Sequence, residues 1–368
     1  MQPYGTLLGL LLACTLGLGA QSLHEVTFIG PLTGDSVRFN IYLPAGYATA
    51  TTAYPVVYHL HGAGGNHGGA QVVQVPNAFA AARQAGITDR DFILVFPDGG
   101  AGSMWADSKS GHVLAETHVI QEIIPYVDAN YLTLPQRAHR YVQGFSMGGF
   151  GAAKFAAKFP ELFQSAVSYD GALHNWSNLV ANRPEIAADM FENDSTYFEL
   201  HAPWHYYRAN AANLSDSICL RMNVGALTEY NQEFRDSLLS WGMAFDYLET
   251  TCPHALGCLL NQDGLAAIAF QVACMPLVSA SAEPVSTPRS YQLYPNPATD
   301  LLYWQSAASS MQHASAHISL YDTQGRCVQQ WKSQQQGAPL PIGSLRAGLY
   351  LVRIASPEGA WQGWFSKK

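Results

Sequence analysis

Apolar positions along the chain come in two textures, and the change falls near residue 276. Before it, short continuous apolar runs alternate with longer stretches of helical spacing. "YPVVYHLHG" (54–62), "DFILVFPDGG" (91–100), "HRYVQGFS" (139–146) and "ICLRMNVG" (218–225) are such runs. Their length and apolar continuity predict parallel strands buried on both faces. "VRFNIYLP" (37–44) instead alternates apolar with polar, as an antiparallel strand does. Apolar residues three and four apart predict helices over 75–85, 117–130, 149–158, 231–241 and 265–273. Alternating strands and helices over residues 21–275 predict an α/β fold, a sheet flanked by helices.

"PLVSASAEPVSTPRS" (276–290) has little to bury and predicts a linker. Residues 291–368 are short strand-like runs punctuated by Gly, Pro, Asn and Asp, among them "ISLYDTQGRCVQQW" (318–331) and "AGLYLVRIASPEGAWQGWF" (347–365). They predict a small all-β sandwich. At the other end, residues 1–20 carry no charged side chain, only the amino terminus, and their apolar stretch is shorter than the ~20 residues a spanning helix needs. A secretory signal peptide is expected, cleaved near Ala20, leaving no integral membrane span. A lipoprotein cleavage at Cys14 fits less well, because the apolar run continues past it.

Composition narrows the class. Of 368 residues, 48% are apolar and 12% charged, which excludes wholesale disorder. A net charge of -8 and no long basic run exclude a non-specific grip on nucleic acid.

The chemistry centres on "GFSMG" (144–148). A Gly-x-Ser-x-Gly turn between a buried strand and a helix puts the serine on a strained corner above the sheet's carboxyl edge. Ser146 is therefore the candidate nucleophile. An acyl-transfer oxyanion needs two converging N–H donors. Met147 N–H, at the helix start, and Ala63 N–H, in the glycine-rich loop "HLHGAGGN" (59–66), are the candidates. The base must follow the acid in this fold's usual order. His254, between the last strand and the last long helix, fits. The acid is expected after the strand 218–225, in "GALTEYNQEF", where Glu229 is the first carboxylate. Glu233, one turn into the helix, and Asp246, on the following strand, are the other options.

Together these segments resemble one esterase family of α/β-hydrolases, which includes bacterial feruloyl and acetylxylan esterases, S-formylglutathione hydrolases and the antigen 85 mycolyltransferases. The resemblance runs through "YPVVYHLHGAGGN", "FILVFPDGGAGSMWADS", "ETHVIQEIIPYVDANY", "GFSMGGFGAAKFAAKFPELFQSAVSYDG" and "CPHALGCLL", over about residues 25–270. It implies an α/β-hydrolase fold with no cofactor and no metal. The implied roles are Ser146 as nucleophile, His254 as base, and Met147 and Ala63 as oxyanion donors. Relatives commonly carry Gly-x-x-Asp in the acid loop, whereas Thr228 stands fourth here, in a loop that reads as shortened. The implied activity is hydrolysis of carboxylic esters linked to polysaccharide, feruloyl or acetyl. A glycan-binding protein that has lost its acid, or an acyltransferase with an alcohol acceptor, would share the same motifs.

The carboxy-terminal residues resemble a second module, the sorting domain of the type IX secretion system. "YPNPATDLL" (294–302), "ISLYDTQGRCV" (318–328), "GLYLVRI" (348–354) and the terminal lysines Lys367 and Lys368 carry that resemblance. It implies the secretion machinery as partner and export through the periplasm and outer membrane, with the protein secreted or at the cell surface.

Two expectations concern the surroundings of the serine. Trp105 and Asp107, in the loop after 91–100, and Trp204 and Tyr206, in the long insertion after Gly171, are candidate substrate-binding residues. Five cysteines follow the signal segment. Cys219 begins a strand and Cys274 ends the last helix, so both fall at the sheet's amino edge. Cys252 and Cys258 flank His254 at the other edge. Pairs Cys219–Cys274 and Cys252–Cys258 are expected, with buried free thiols as the alternative.

Overall fold

The computed structural model describes residues 21–215, 217–274, 291–306, 316–321, 327–333, 338–356 and 359–368. The expected signal segment (1–20) and the whole of the expected linker (276–290) lie outside them.

Residues 22–249 supply one eight-stranded sheet in the order β1-β2-β4-β3-β5-β6-β7-β8. Its strands are β1 (Ser22–Ile29), β2 (Ser36–Leu43), β3 (Val56–Leu60), β4 (Ile93–Pro97), β5 (Arg140–Phe145), β6 (Ser165–Tyr169), β7 (Cys219–Val224) and β8 (Asp246–Glu249). β1 and β2 pair antiparallel, β2 joins β4 antiparallel, and the remaining pairs are parallel. The helices are α1 (Gln71–Gln84), α2 (Ala115–Thr117), α3 (Ile124–Asn130), α4 (Met147–Lys158), α5 (Trp176–Asn182), α6 (Pro184–Phe191), α7 (Ser195–Glu199), α8 (Pro203–Ser215), α9 (Thr228–Ser240) and α10 (Leu256–Ala273). A π-helical stretch, His118–Ile123, joins α2 to α3.

The period-two alternation of strands sorts the core into two layers. On β3, Val56, Tyr58 and Leu60 face the layer that holds α4 and the α5–α8 insertion, and Val57 faces α1 and α10. On β4, Ile93 and Val95 divide from Leu94 and Phe96 in the same way. Burial on both faces is why these strands read as unbroken apolar runs. β6, "SAVSY", is the exception. Its serines and alanine carry little hydrophobic signal, yet all five residues are buried. α10 is long and apolar enough to cross a membrane by composition alone. Here it packs against α1, β6 and β7, burying Leu259, Ala267 and Ile268.

Register decides what meets at the carboxyl edge. Leu60 pairs with Gly144, Phe145 with Tyr169, and Tyr169 with Asn223. The turns after β3, β5, β6 and β7 therefore emerge side by side. Cys219–Cys274 joins the start of β7 to the end of α10, and Cys252–Cys258 closes the loop before α10, both as expected.

The carboxy-terminal residues form two antiparallel sheets. One is ordered β13-β10-β9, from β9 (Tyr291–Tyr294), β10 (Leu301–Ser306) and β13 (Leu340–Pro341). The other is ordered β12-β11-β14-β15, from β11 (Ala316–Tyr321), β12 (Cys327–Ser333), β14 (Gly348–Ser356) and β15 (Gly359–Lys367). Leu302, Trp304, Ile318, Val352 and Phe365 share one core between them.

Candidate active site

Ser146 stands at the junction of β5 and α4 with φ 58 and ψ -117, a left-handed corner rare for a residue with a side chain. Its N–H donates to Tyr169 O at 3.0 Å, and its carbonyl accepts from Gly149 and Ala172 at 2.9 Å each. These bonds hold the corner. The turn is tight enough that a Cβ at Gly148 would fall on the Leu60 carbonyl oxygen, so only glycine fits.

His254 comes from the loop between β8 and α10. Its Nε2 lies 2.9 Å from Ser146 Oγ, and its Nδ1 lies 2.6 Å from Asp170 Oδ2. Phe145 packs along the imidazole at 4.6 Å between ring centroids. Cys252–Cys258 brackets the loop, and Thr250 N–H ties its start to Val224 O at 2.8 Å.

Asp170 is the residue that sequence reasoning missed. It follows β6 immediately, with φ 45 and a fully buried side chain. Oδ1 accepts from Gly225 N–H at 2.8 Å and Leu227 N–H at 3.0 Å. Every oxygen of the carboxylate is thus met, as a buried charge requires. Glu229, the expected acid, is instead exposed in the first turn of α9, and the carboxylate that touches His254 is Asp170. Glu233 binds Asn175 and Asn178, and Asp246 pairs with Arg221. The turn after β7 contributes N–H donors rather than an acid. The missing signal was β6 itself: with "SAVSY" read as a strand, Asp170 stands at the same edge as Ser146.

The loop after β3 reaches the serine. A Cβ built on Gly62 would stand 3.2 Å from Ser146 Cβ. His61 fixes this loop from beneath. Its Nδ1 lies 2.9 Å from Gly62 O, its Nε2 accepts from Gly99 N–H at 3.0 Å, and its carbonyl accepts from Trp105 Nε1 at 3.1 Å. Burial lowers the His61 pKa, which favours the neutral ring that one donated and one accepted bond require.

The four expected substrate-binding side chains serve the scaffold instead. Trp105 is fully buried beneath the His61 loop. Asp107 accepts from Thr117 N–H and Oγ1 at 3.0 and 2.6 Å, bracing α2. Trp204 packs edge-on against Phe234 and Trp241, joining α8 to α9. Tyr206 donates to Leu200 O at 2.7 Å and faces Lys158. Lys158 ends α4, roughly 18 Å from Ser146 at 1.5 Å per residue. The insertion's aromatics are large apolar bodies that secure α8 to α4 and α9.

A hydroxyl, an imidazole and a buried carboxylate in series can move a proton off the hydroxyl while the carboxylate steadies the ring. Comparison with known proteins agrees with this architecture. An esterase of Mycobacterium tuberculosis is 37% identical over 139 residues, 36% of this chain and 28% of that protein. Feruloyl esterase B of Neurospora crassa is 30% identical over 177 residues, 46% of this chain and 55% of that protein. The chain thus spans about a quarter to a little over half of these curated relatives. Among solved structures, a ferulic acid esterase superposes with TM-score 0.58 at 17% identity, over 69% of this chain and 99% of that one. An S-formylglutathione hydrolase from Agrobacterium tumefaciens gives 0.57 at 14%, over 70% and 96%. These two likenesses show the fold. Residues 292–363 match the domain described as "Secretion system C-terminal sorting domain", which marks the protein for export to the cell surface or beyond. Residues 31–228 match the family described as "Putative esterase". That match takes in more than half of the 368 residues, and the chain belongs to that esterase family.

Proposed function

We propose that the protein is an exported serine carboxylic ester hydrolase whose triad is Ser146, His254 and Asp170. The observation that carries this reading is the unbroken series from Ser146 Oγ through the imidazole to Asp170, at 2.9 and 2.6 Å. With Nδ1–H donated to Asp170, Nε2 is left to accept the serine proton. Ser146 Oγ attacks the ester carbonyl as its proton passes to Nε2. The resulting oxyanion is met by Met147 N–H and Ala63 N–H. Support for that pair is local. Met147 opens α4, where an N–H has no partner inside the helix. The neighbouring N–H groups of Gly64 and Gly65 are engaged by Ala101 O and Gly62 O, at 2.7 and 3.0 Å. When the tetrahedral intermediate collapses, the ester C–O bond breaks and Nε2–H protonates the departing alcohol. Water, deprotonated by the same nitrogen, then attacks the acyl-enzyme and releases the acid, restoring Ser146 Oγ–H.

Esters of ferulate or acetate on polysaccharide are the substrate class we assign. Support comes from the relatives' names, feruloyl esterase B and an endo-1,4-beta-xylanase/feruloyl esterase of Xylanibacter ruminicola, together with export. Binding without cleavage presupposes a lost acid, and the Asp170 carboxylate 2.6 Å from His254 supports cleavage over that alternative. A fluorophosphonate probe and a panel of feruloyl, acetyl and nitrophenyl esters test the reading. Wild type is expected to label at Ser146 and to turn over a feruloyl or acetyl ester, and Ser146→Ala to do neither. A folded protein that fails to label would overturn it.

A further inference from the structure

The turn after β7 grips Asp170, and one side chain holds both halves of that grip. Asn231 lies one turn into α9 with its side chain 0% exposed. Its Nδ2 is 2.8 Å from Gly171 O and 2.8 Å from Leu227 O. An amide nitrogen carries two protons, so each carbonyl receives one. Gly171 is the residue after Asp170. Leu227 is the residue whose N–H holds Asp170 Oδ1. A single buried amide therefore links the strand end that carries the carboxylate to the turn that orients it. Thr228 Oγ1 braces the same turn through Gly225 O at 2.9 Å.

Nothing else in the surroundings of Asn231 calls for an amide. Its neighbours along the same face of α9, Phe234 and Leu238, are fully buried and apolar. Asparagine is a modest helix former. Its Oδ1 is buried without a hydrogen-bond partner among the described residues, an unfavourable situation that an apolar side chain would avoid. Its two donated bonds account for it. If both were lost, the direct tie between Gly171 O and Leu227 O would go, and Leu227 O would keep only the Asn231 backbone N–H at 3.3 Å, leaving the turn that orients Asp170 less tightly held.

We propose that Asn231 is a positioning residue for the reaction, holding Asp170 against His254 through Gly171 and Leu227. The inference rests on the triad reading given above. The test compares Asn231→Leu with wild type in the full chain, on a nitrophenyl ester. The expected result is kcat down about tenfold with KM within about twofold, since the loss is of catalytic geometry and not of substrate contact. Fluorophosphonate labelling slows in step. The low-field proton resonance of the Asp170–His254 hydrogen bond shifts or broadens, which a merely structural role would not cause in a protein that melts cooperatively. Asp170→Asn separates the two readings. If it retains activity, the triad reading fails. If it loses activity while folded Asn231→Leu keeps wild-type kcat and resonance, the triad stands and the positioning role is overturned. Should Asn231→Leu not fold, Asn231→Ala removes the same two bonds with less bulk, and a kcat loss of about tenfold with a shifted resonance is expected. An unchanged kcat and resonance there would overturn the proposal equally.

Discussion

Two adjacent turns at the same edge of the sheet divide one task. The turn after β6 bears a carboxylate on a left-handed residue, Asp170 at φ 45, which aims its side chain at the histidine loop. The turn after β7 directs no carboxylate there. It offers two backbone N–H groups to Asp170 Oδ1 and a carbonyl, Val224 O, to the histidine loop. One turn brings the charge and its neighbour brings the dipoles that hold it. A catalytic set is defined by what meets in space at the sheet's edge. Parallel register brings four turns to that edge, and either of two neighbours can carry the acid.

The sharpest way to break this comparison is to exchange the charge. Asp170→Asn keeps the shape and loses the carboxylate, and the amide that replaces it no longer selects the productive histidine tautomer. A fall in kcat of about 10³–10⁴-fold is expected, with the protein still folded. Steady-state kinetics beside a thermal melt checks it. Retention of more than a tenth of the activity would return the acid to another residue.

The next largest effect strikes the grip rather than the charge. Gly225 packs so closely that a Cβ there would lie 3.0 Å from Cys252 O and 3.1 Å from Asp170 Oδ2. Gly225→Ala must push either the histidine loop or the acid aside, and kcat is expected to drop about tenfold. KM should hold, because no substrate contact is removed. Equal loss in both constants would place Gly225 against the substrate instead.

Much of this was legible in the sequence. Long apolar runs announced β3, β4, β5 and β7, and their carboxyl ends carry Ser146 and the Gly62–Ala63 loop. The cysteine pairs followed from which edge each cysteine occupies. The proposed acid, Asp170, did not, for a physical reason. β6 buries small and polar side chains, Ser165, Ala166 and Ser168, under helices that pack close to it, so it lacks the bulk by which buried strands are recognised. Glycines sharpen the point: Gly149 and Gly171 approach Ser168 too closely for a side chain on either. The aromatics of the insertion misled for the opposite reason. Trp204 and Tyr206 look like stacking platforms in sequence, but their size is used to bind α8 to α4 and α9.

A smaller effect is expected on the histidine's side of the site. The Cys252–Cys258 bridge closes a short loop around His254. Replacing both cysteines with serine removes a constraint of order 2 kcal/mol on the unfolded chain and loosens the loop between β8 and α10. A several-fold fall in kcat, about threefold to fivefold, is expected along with a lower melting temperature. Mild reduction of the wild type should reproduce the kinetic part.

The smallest expected effect is the most informative about the two turns. Glu229 is the first carboxylate after β7, where the sequence alone places the expected acid. It is exposed in the first turn of α9, where a negative side chain favours the helix start by about 0.3–1 kcal/mol. Glu229→Ala should cost no more than that in stability and leave kcat and KM within about twofold of wild type. The contrast with Asp170→Asn, in the same buffer and on the same ester, measures how completely the acid's role belongs to β6. A large loss in Glu229→Ala with little in Asp170→Asn would reverse the assignment and make the Asp170–His254 contact a structural one. A large loss in both would mean that the two turns share the charge as well as the grip.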